Sequence, residues 1–165
     1  MEIKSVSNFI KYYEQTRDIT NRAINVIPQD KMDWSYLPEK FTIADLLRHI
    51  AAIERYVFME VIQGNKPAYK GCRKELADGY QNIIDYFHEM HQQSIEILSS
   101  LNDEDLLNEI KTLDGKITTV GNFLRALIVN EVHHRAALCI YLNLLGVSTP
   151  PVIGLMEEQV IEISK

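Results

Sequence analysis

The 165-residue chain has little cysteine, and its two copies, Cys72 and Cys139, make no spacing of a disulfide framework or a zinc knuckle. Its fold must therefore rest on an apolar core. No run of about 18 apolar residues occurs, so no membrane-spanning helix is expected. Basic clusters are missing too: 17 Lys and Arg face 23 Asp and Glu, for a net charge of -6. That balance argues against a nucleic-acid partner, which selects for grouped cations. Met1 is followed by a polar, charged stretch rather than a short apolar one with a small-residue cleavage site, so a soluble cytoplasmic protein is expected. A Gly-rich phosphate loop, a Gly-x-Ser-x-Gly elbow, a catalytic cysteine signature and internal repeats are all absent. At this length a single domain over residues 1–165 can bury roughly 70% of the surface its unfolded form exposes.

What is present is helical periodicity. Ser5 to Val26 carries Val6, Phe9, Ile10, Tyr13, Ile19, Ala23 and Val26 at helical spacing, with Ser5 or Ser7 as cap and Pro28 beyond the end. A polar connection from Pro28 to Lys40 holds the only tryptophan, Trp34, which should pin it to a surface. Thr42 with Asp45 three residues on opens a second helix that stops near Gly64. Gln63 to Leu76 reads as a loop, and a third helix runs from Asp78 to Leu101. An Asp-Gly turn within Leu113 to Ile117 allows two short strands. Thr118 or Thr119 caps a fourth helix that ends at Gly146, and Leu155 to Ser164 can form a short acidic helix. The pattern predicts an all-α four-helix bundle with long crossover loops, because up-down hairpins would not need connections of this length.

The fourth helix is the most informative stretch. Leu124, Leu127, Ile128, Val132, Leu138, Tyr141, Leu142 and Leu145 form one apolar stripe expected to face inward. Asn130 and His134 lie one turn apart on a neighbouring strip. His49, near the apolar face of helix two, can meet them between helices, where bundles build metal sites. Neutral imidazoles suit Zn, Ni, Cu or Fe, whereas an Asn amide is a weak ligand. His49 and His134 thus need a water, the Asn130 oxygen or a carboxylate to complete a set. His133 is turned about 100° from His134, so only one of the two aims inward, and the expectation is His134. Glu131 and His134 form one Glu-x-x-His, without the second copy a di-iron bundle requires. Glu131 and Arg135 read most simply as a surface ion pair at i and i+4, with Arg135 at a site mouth as the other reading. His88 and His91 lack the i, i+4 spacing of a zinc-protease helix and read as a solvated face.

At these residues the chain resembles the DinB-like superfamily of metal-binding four-helix bundles, which includes thiol-dependent S-transferases. The matching pieces are Lys31-Met32-Asp33-Trp34, Thr42 to Ile50, Val132-His133-His134-Arg135, Tyr141 to Gly146, and Pro150-Pro151. The resemblance implies a metal set at His49, position 130 and His134, with His133, Arg135 and Glu131 as surrounding or substrate-contacting residues. Position 130 is Asn130 where the family's His-x-x-x-His has histidine, and Ala136-Ala137 stand where relatives commonly carry Gly-Gln. The resemblance further implies a divalent ion (Zn, Ni, Mn or Fe), a small-molecule substrate, thiol transfer or hydrolysis, and a homodimer. A metal-free binding module or a structural dimer with a degenerate site is the alternative.

Overall fold

The computed structural model describes residues 3–152 and 154–165, so Met1 and Glu2, at the start of the expected domain, lie outside the described residues. Four long helical rods make the fold. α1 spans Val6–Ile24, with the Ser5 hydroxyl accepting from the Asn8 amide. α2 spans Ile43–Ile53 and opens on a full capping box between Thr42 and Asp45. It continues through a π-helical turn, Glu54–Met59, into α3, Glu60–Ile62. α4 spans Tyr80–Ser99, and α5, capped by Thr119, spans Val120–Leu144. A short acidic α6, Glu157–Ile163, follows. Between α4 and α5, β1 (Glu109–Lys111) and β2 (Ile117–Thr119) pair antiparallel with Glu109 opposite Thr119. Gly115, at φ +83°, turns their hairpin. Among the described residues no helix is long and apolar enough to cross a membrane.

The apolar core is split into two clusters, and the split gives the direction of each rod. One cluster gathers Ala23 and Ile24 of α1, Ile43 to Ala51 of α2, Ile83 to Met90 of α4 and Leu138 to Leu142 of α5. The other gathers Val6 to Tyr13, Phe58 to Ile62, Leu98, and Val120 to Leu127. Hence α1 and α5 run one way and α2 and α4 the other. α1 packs on α5 and α2 on α4 as parallel pairs, which short hairpins cannot achieve, while α2 packs on α5 and α1 on α4 antiparallel. The connection after α3 has to return along the whole bundle before α4 begins. The link after α1 crosses the bundle end, where Trp34 meets Tyr141 edge to face at 5.5 Å. The carbonyls of Trp34 and Met32 accept from the first amides of α2.

Between the clusters lies a polar layer to which all four rods contribute. Thr16, Arg17, Thr20, Glu54, His91, Ser94, Glu131 and Arg135 are all buried there. Val132, in contrast, is 40% exposed. The expectation that it faces inward fails because α5 is apolar nearly all round, so its sequence alone does not single out one face.

Candidate functional site

α2 and α5 bring His49 and His134 together from opposite sides of a corner beside the first core cluster. Their rings meet edge to face with centroids 4.5 Å apart. Both are half-buried, while His133 is exposed and stands edge-on to His134 at 5.0 Å. Burial, joined by the charges of His49 and His133, brings the His134 pKa down to about 4. Burial alone lowers that of His49. Both imidazoles are therefore neutral at neutral pH, the form that donates a lone pair to a cation. Asn130 is half-buried one turn before His134.

The return strap between α3 and α4 supplies a residue that sequence periodicity missed. The Tyr69 hydroxyl lies 2.8 Å from His49 Nδ1, which leaves Nε2 as the free nitrogen of that ring. Burial, followed by the nearby Cys72, raises the Tyr69 phenol to about 12, so it stays protonated. Phe41 packs at 5.2 Å from His49. The strap is fastened from below by buried Arg48. Its Nε donates to the Cys72 carbonyl at 2.8 Å, Nη1 to the Ala77 carbonyl at 2.9 Å, and Nη2 to Asp45 at 2.7 Å. A cavity of about 220 Å³ lies under the same strap, walled by Ala52, Tyr56, Ala68, Lys70, Gly71 and Leu76. Tyr69 could have been found only by noticing an aromatic residue in a loop long enough to lie along helix two.

The acids near these histidines in sequence are directed elsewhere. Glu54 accepts from Arg17 Nη2 at 2.5 Å and from His91 Nδ1 at 2.8 Å. Glu131 Oε2 lies 3.0 Å from the same Arg17 nitrogen, and its Oε1 accepts from the Thr20 hydroxyl at 2.6 Å. The Arg17 guanidinium sits 4.3 Å over the Phe87 ring. Burial opposes ionisation of Glu54, yet the Arg17 charge and the His91 hydrogen bond hold its pKa below the usual carboxylate range. Two readings of the sequence are corrected here. Glu131 and Arg135 are not a surface ion pair: both are buried, and Arg135 donates to the Thr16 carbonyl at 3.2 Å rather than standing at a site mouth. His91 is buried in the polar layer, while His88 is exposed as expected. Each correction has one cause, since a charge at a core register pairs across the bundle and sequence spacing shows only partners on its own helix.

These residues fit a divalent ion as two of its ligands. A catalytic zinc site takes three protein ligands and an open position. Here two neutral imidazoles stand together, and Asn130 lies one turn before His134 on α5. Among the described residues no group of three His, Cys, Asp or Glu side chains gathers to hold an ion.

A family model for the DinB superfamily matches residues 12–138. The uncharacterized protein YjoA of Bacillus subtilis is 24% identical over 144 residues, covering 86% of this chain and 88% of its own. The crystal structure of a DinB-like protein from Bacillus cereus superposes with a TM-score of 0.76 at 17% identity, over 90% of this chain and 97% of that one. YfiT from Bacillus subtilis, described as a probable metal-dependent hydrolase with an unusual four-helix bundle topology, superposes with a TM-score of 0.66 at 18% identity. That match covers 87% of this chain and 89% of YfiT.

Proposed function

The chain belongs to the DinB superfamily, and on that premise we propose that it acts on a small molecule at a divalent ion held loosely by His49 and His134. One observation carries the reading: two neutral imidazoles from different rods meet edge to face at 4.5 Å. When bound, such an ion supplies a Lewis acid and a water of lowered pKa. The protein's own part is positional. Tyr69 fixes the His49 ring through Nδ1, as partners of metal-ligating histidines do. Arg48 holds the strap that carries Tyr69. Asn130 offers an amide oxygen as a third, weaker ligand. The resemblance to YfiT supports hydrolysis as the reaction class.

Two strong ligands instead of three imply an exchangeable ion. Calorimetric titration with Zn, Ni, Mn and Fe(II) should give one weak site, lost in His49→Ala. Asn130→His should tighten it by about tenfold or more, because an imidazole then replaces an amide. A second reading, small-molecule binding without an ion, is favoured by the commitment of Glu54 and Glu131 to Arg17. No heat with any of the four ions, in both wild type and Asn130→His, would overturn the metal reading and leave that one.

A further inference from the structure

The strap between α3 and α4 does more than hold His49, because it also closes a space beside it. His49, Ala52 and Tyr56 stand at i, i+3 and i+7 of the second rod, near one face of it. Ala52 and Tyr56 form one wall of the cavity of about 220 Å³, and Ala68, Gly71 and Leu76 of the strap form the other. At about 1.5 Å per residue, the cavity lies about 5–10 Å from His49 along the rod. Exposed Lys70 completes the lining. We propose that this cavity binds a small organic carboxylate whose apolar body is one ring or a branched chain of that size. As the anchor of a substrate whose far end meets the His49–His134 corner, the cavity rests on the ion reading given above; as a binding site it does not.

Three features select this ligand. The first is size. A cavity of about 150 Å³ takes a benzene-sized molecule, whereas drug-sized ligands occupy about 300 Å³ or more. The space under the strap therefore suits a single ring. Its walls agree, since Ala52, Ala68, Leu76 and the Tyr56 ring are apolar and Gly71 adds no side chain. Gly71 takes φ +95°, a conformation that lets the strap bend around the space.

The second is charge. In a chain of net charge -6, Lys70 is the only charged side chain of the lining. Lys74, four residues on, pairs with Asp33 at 3.2 Å, whereas Lys70 has no ion-pair partner among the described residues. Its ammonium beside apolar walls selects an anion with an apolar body. The third is preorganisation. The Ala68 amide donates to the Tyr56 carbonyl at 2.8 Å on one side of the cavity. On the other, Arg48 holds the Cys72 and Ala77 carbonyls. A strap tied at both ends needs little ordering when a ligand arrives. Tyr56 itself lies in the π-helical turn Glu54–Met59, an irregularity that recurs at functional sites.

Titration of the metal-free full chain with benzoate, and separately with benzamide as its neutral counterpart, tests the proposal by two-dimensional NMR. Benzoate should shift the Ala52, Tyr56 and Gly71 amide resonances and the His49 ring resonances, with a Kd of about 1 mM or tighter. Benzamide should bind at least about threefold more weakly, and Lys70→Gln should cost benzoate the same factor while Lys70→Arg keeps most of its affinity. Ala68→Phe, which fills the cavity from an exposed position, should abolish binding. The proposal is overturned if benzoate shifts none of these resonances, if it leaves the His49 ring unmoved, or if benzamide binds equally well. Benzoate binding unchanged in both Lys70→Gln and Ala68→Phe overturns it too. A protein that binds ions but not benzoate loses this proposal and keeps the ion reading, and one that binds benzoate but no ion does the reverse.

Discussion

His49 and Glu54 lie five residues apart on one rod, Glu131 and His134 three apart on another, yet the two pairs have opposite environments. The histidines are half-buried, neutral and open on one side. The carboxylates are fully buried and tied to Arg17. The difference teaches why the site is short of ligands. Carboxylates from these same two helices could have joined the imidazoles, but a third helix supplies a cation that holds both acids in the core. The polar layer and the candidate site thus draw their ligand-type residues from the same two rods, and in the layer both carboxylates are paired to Arg17.

Removing Arg17 breaks the comparison most severely. Arg17→Met leaves two buried carboxylates without their cation, which costs about 3–5 kcal/mol by the precedent of broken buried ion pairs. Chemical denaturation should show it, and Glu54→Gln with Glu131→Gln should restore part of the loss. The next effect is a pH dependence that separates the two regions. The folded pKa of His134 is about 4 against an ordinary 6.5, so the unfolded chain binds the extra proton. Stability in the metal-free protein therefore falls as pH drops from about 6.5 to 4. The loss is about 1–2 kcal/mol once the half-exposure of His134 is discounted. His134→Ala should flatten that limb. The contribution of Glu54, whose folded pKa is lowered, is present above its ordinary 4.5 and lost only as pH falls through that value and below. The smallest effect concerns the strap. Tyr69→Phe removes one part-buried hydrogen bond, costs under about 1 kcal/mol, and should change the His49 ring resonances by NMR while leaving those of His91 in place.

Much of this was legible in the sequence wherever the signal is local. The caps at Ser5, Thr42 and Thr119 mark the starts of α1, α2 and α5, and each is seen to bond as its residue type predicts. The long connections implied crossovers, which the parallel packing of α1 on α5 requires. The superfamily was legible from the His49 and His134 segments. Tyr69 was not, because a strap has no period and its contact with His49 depends on where the strap lies. The charged layer left a weaker trace: Arg17, Glu54 and Glu131 each follow a buried residue, Tyr13, Ile50 and Leu127, by four positions. That spacing places charges at core registers on three helices, but which charge meets which depends on the relative heights of the rods.

Equilibrium dialysis against Zn and Ni, comparing wild type, His134→Ala and Glu131→Gln after each is shown to be folded, tests the division most directly. The account predicts that His134→Ala loses the ion and that Glu131→Gln, whose side chain belongs to Arg17 and Thr20, retains it. Loss of the ion in Glu131→Gln with retention in His134→Ala would contradict the account, and would move the candidate site from the corner into the core.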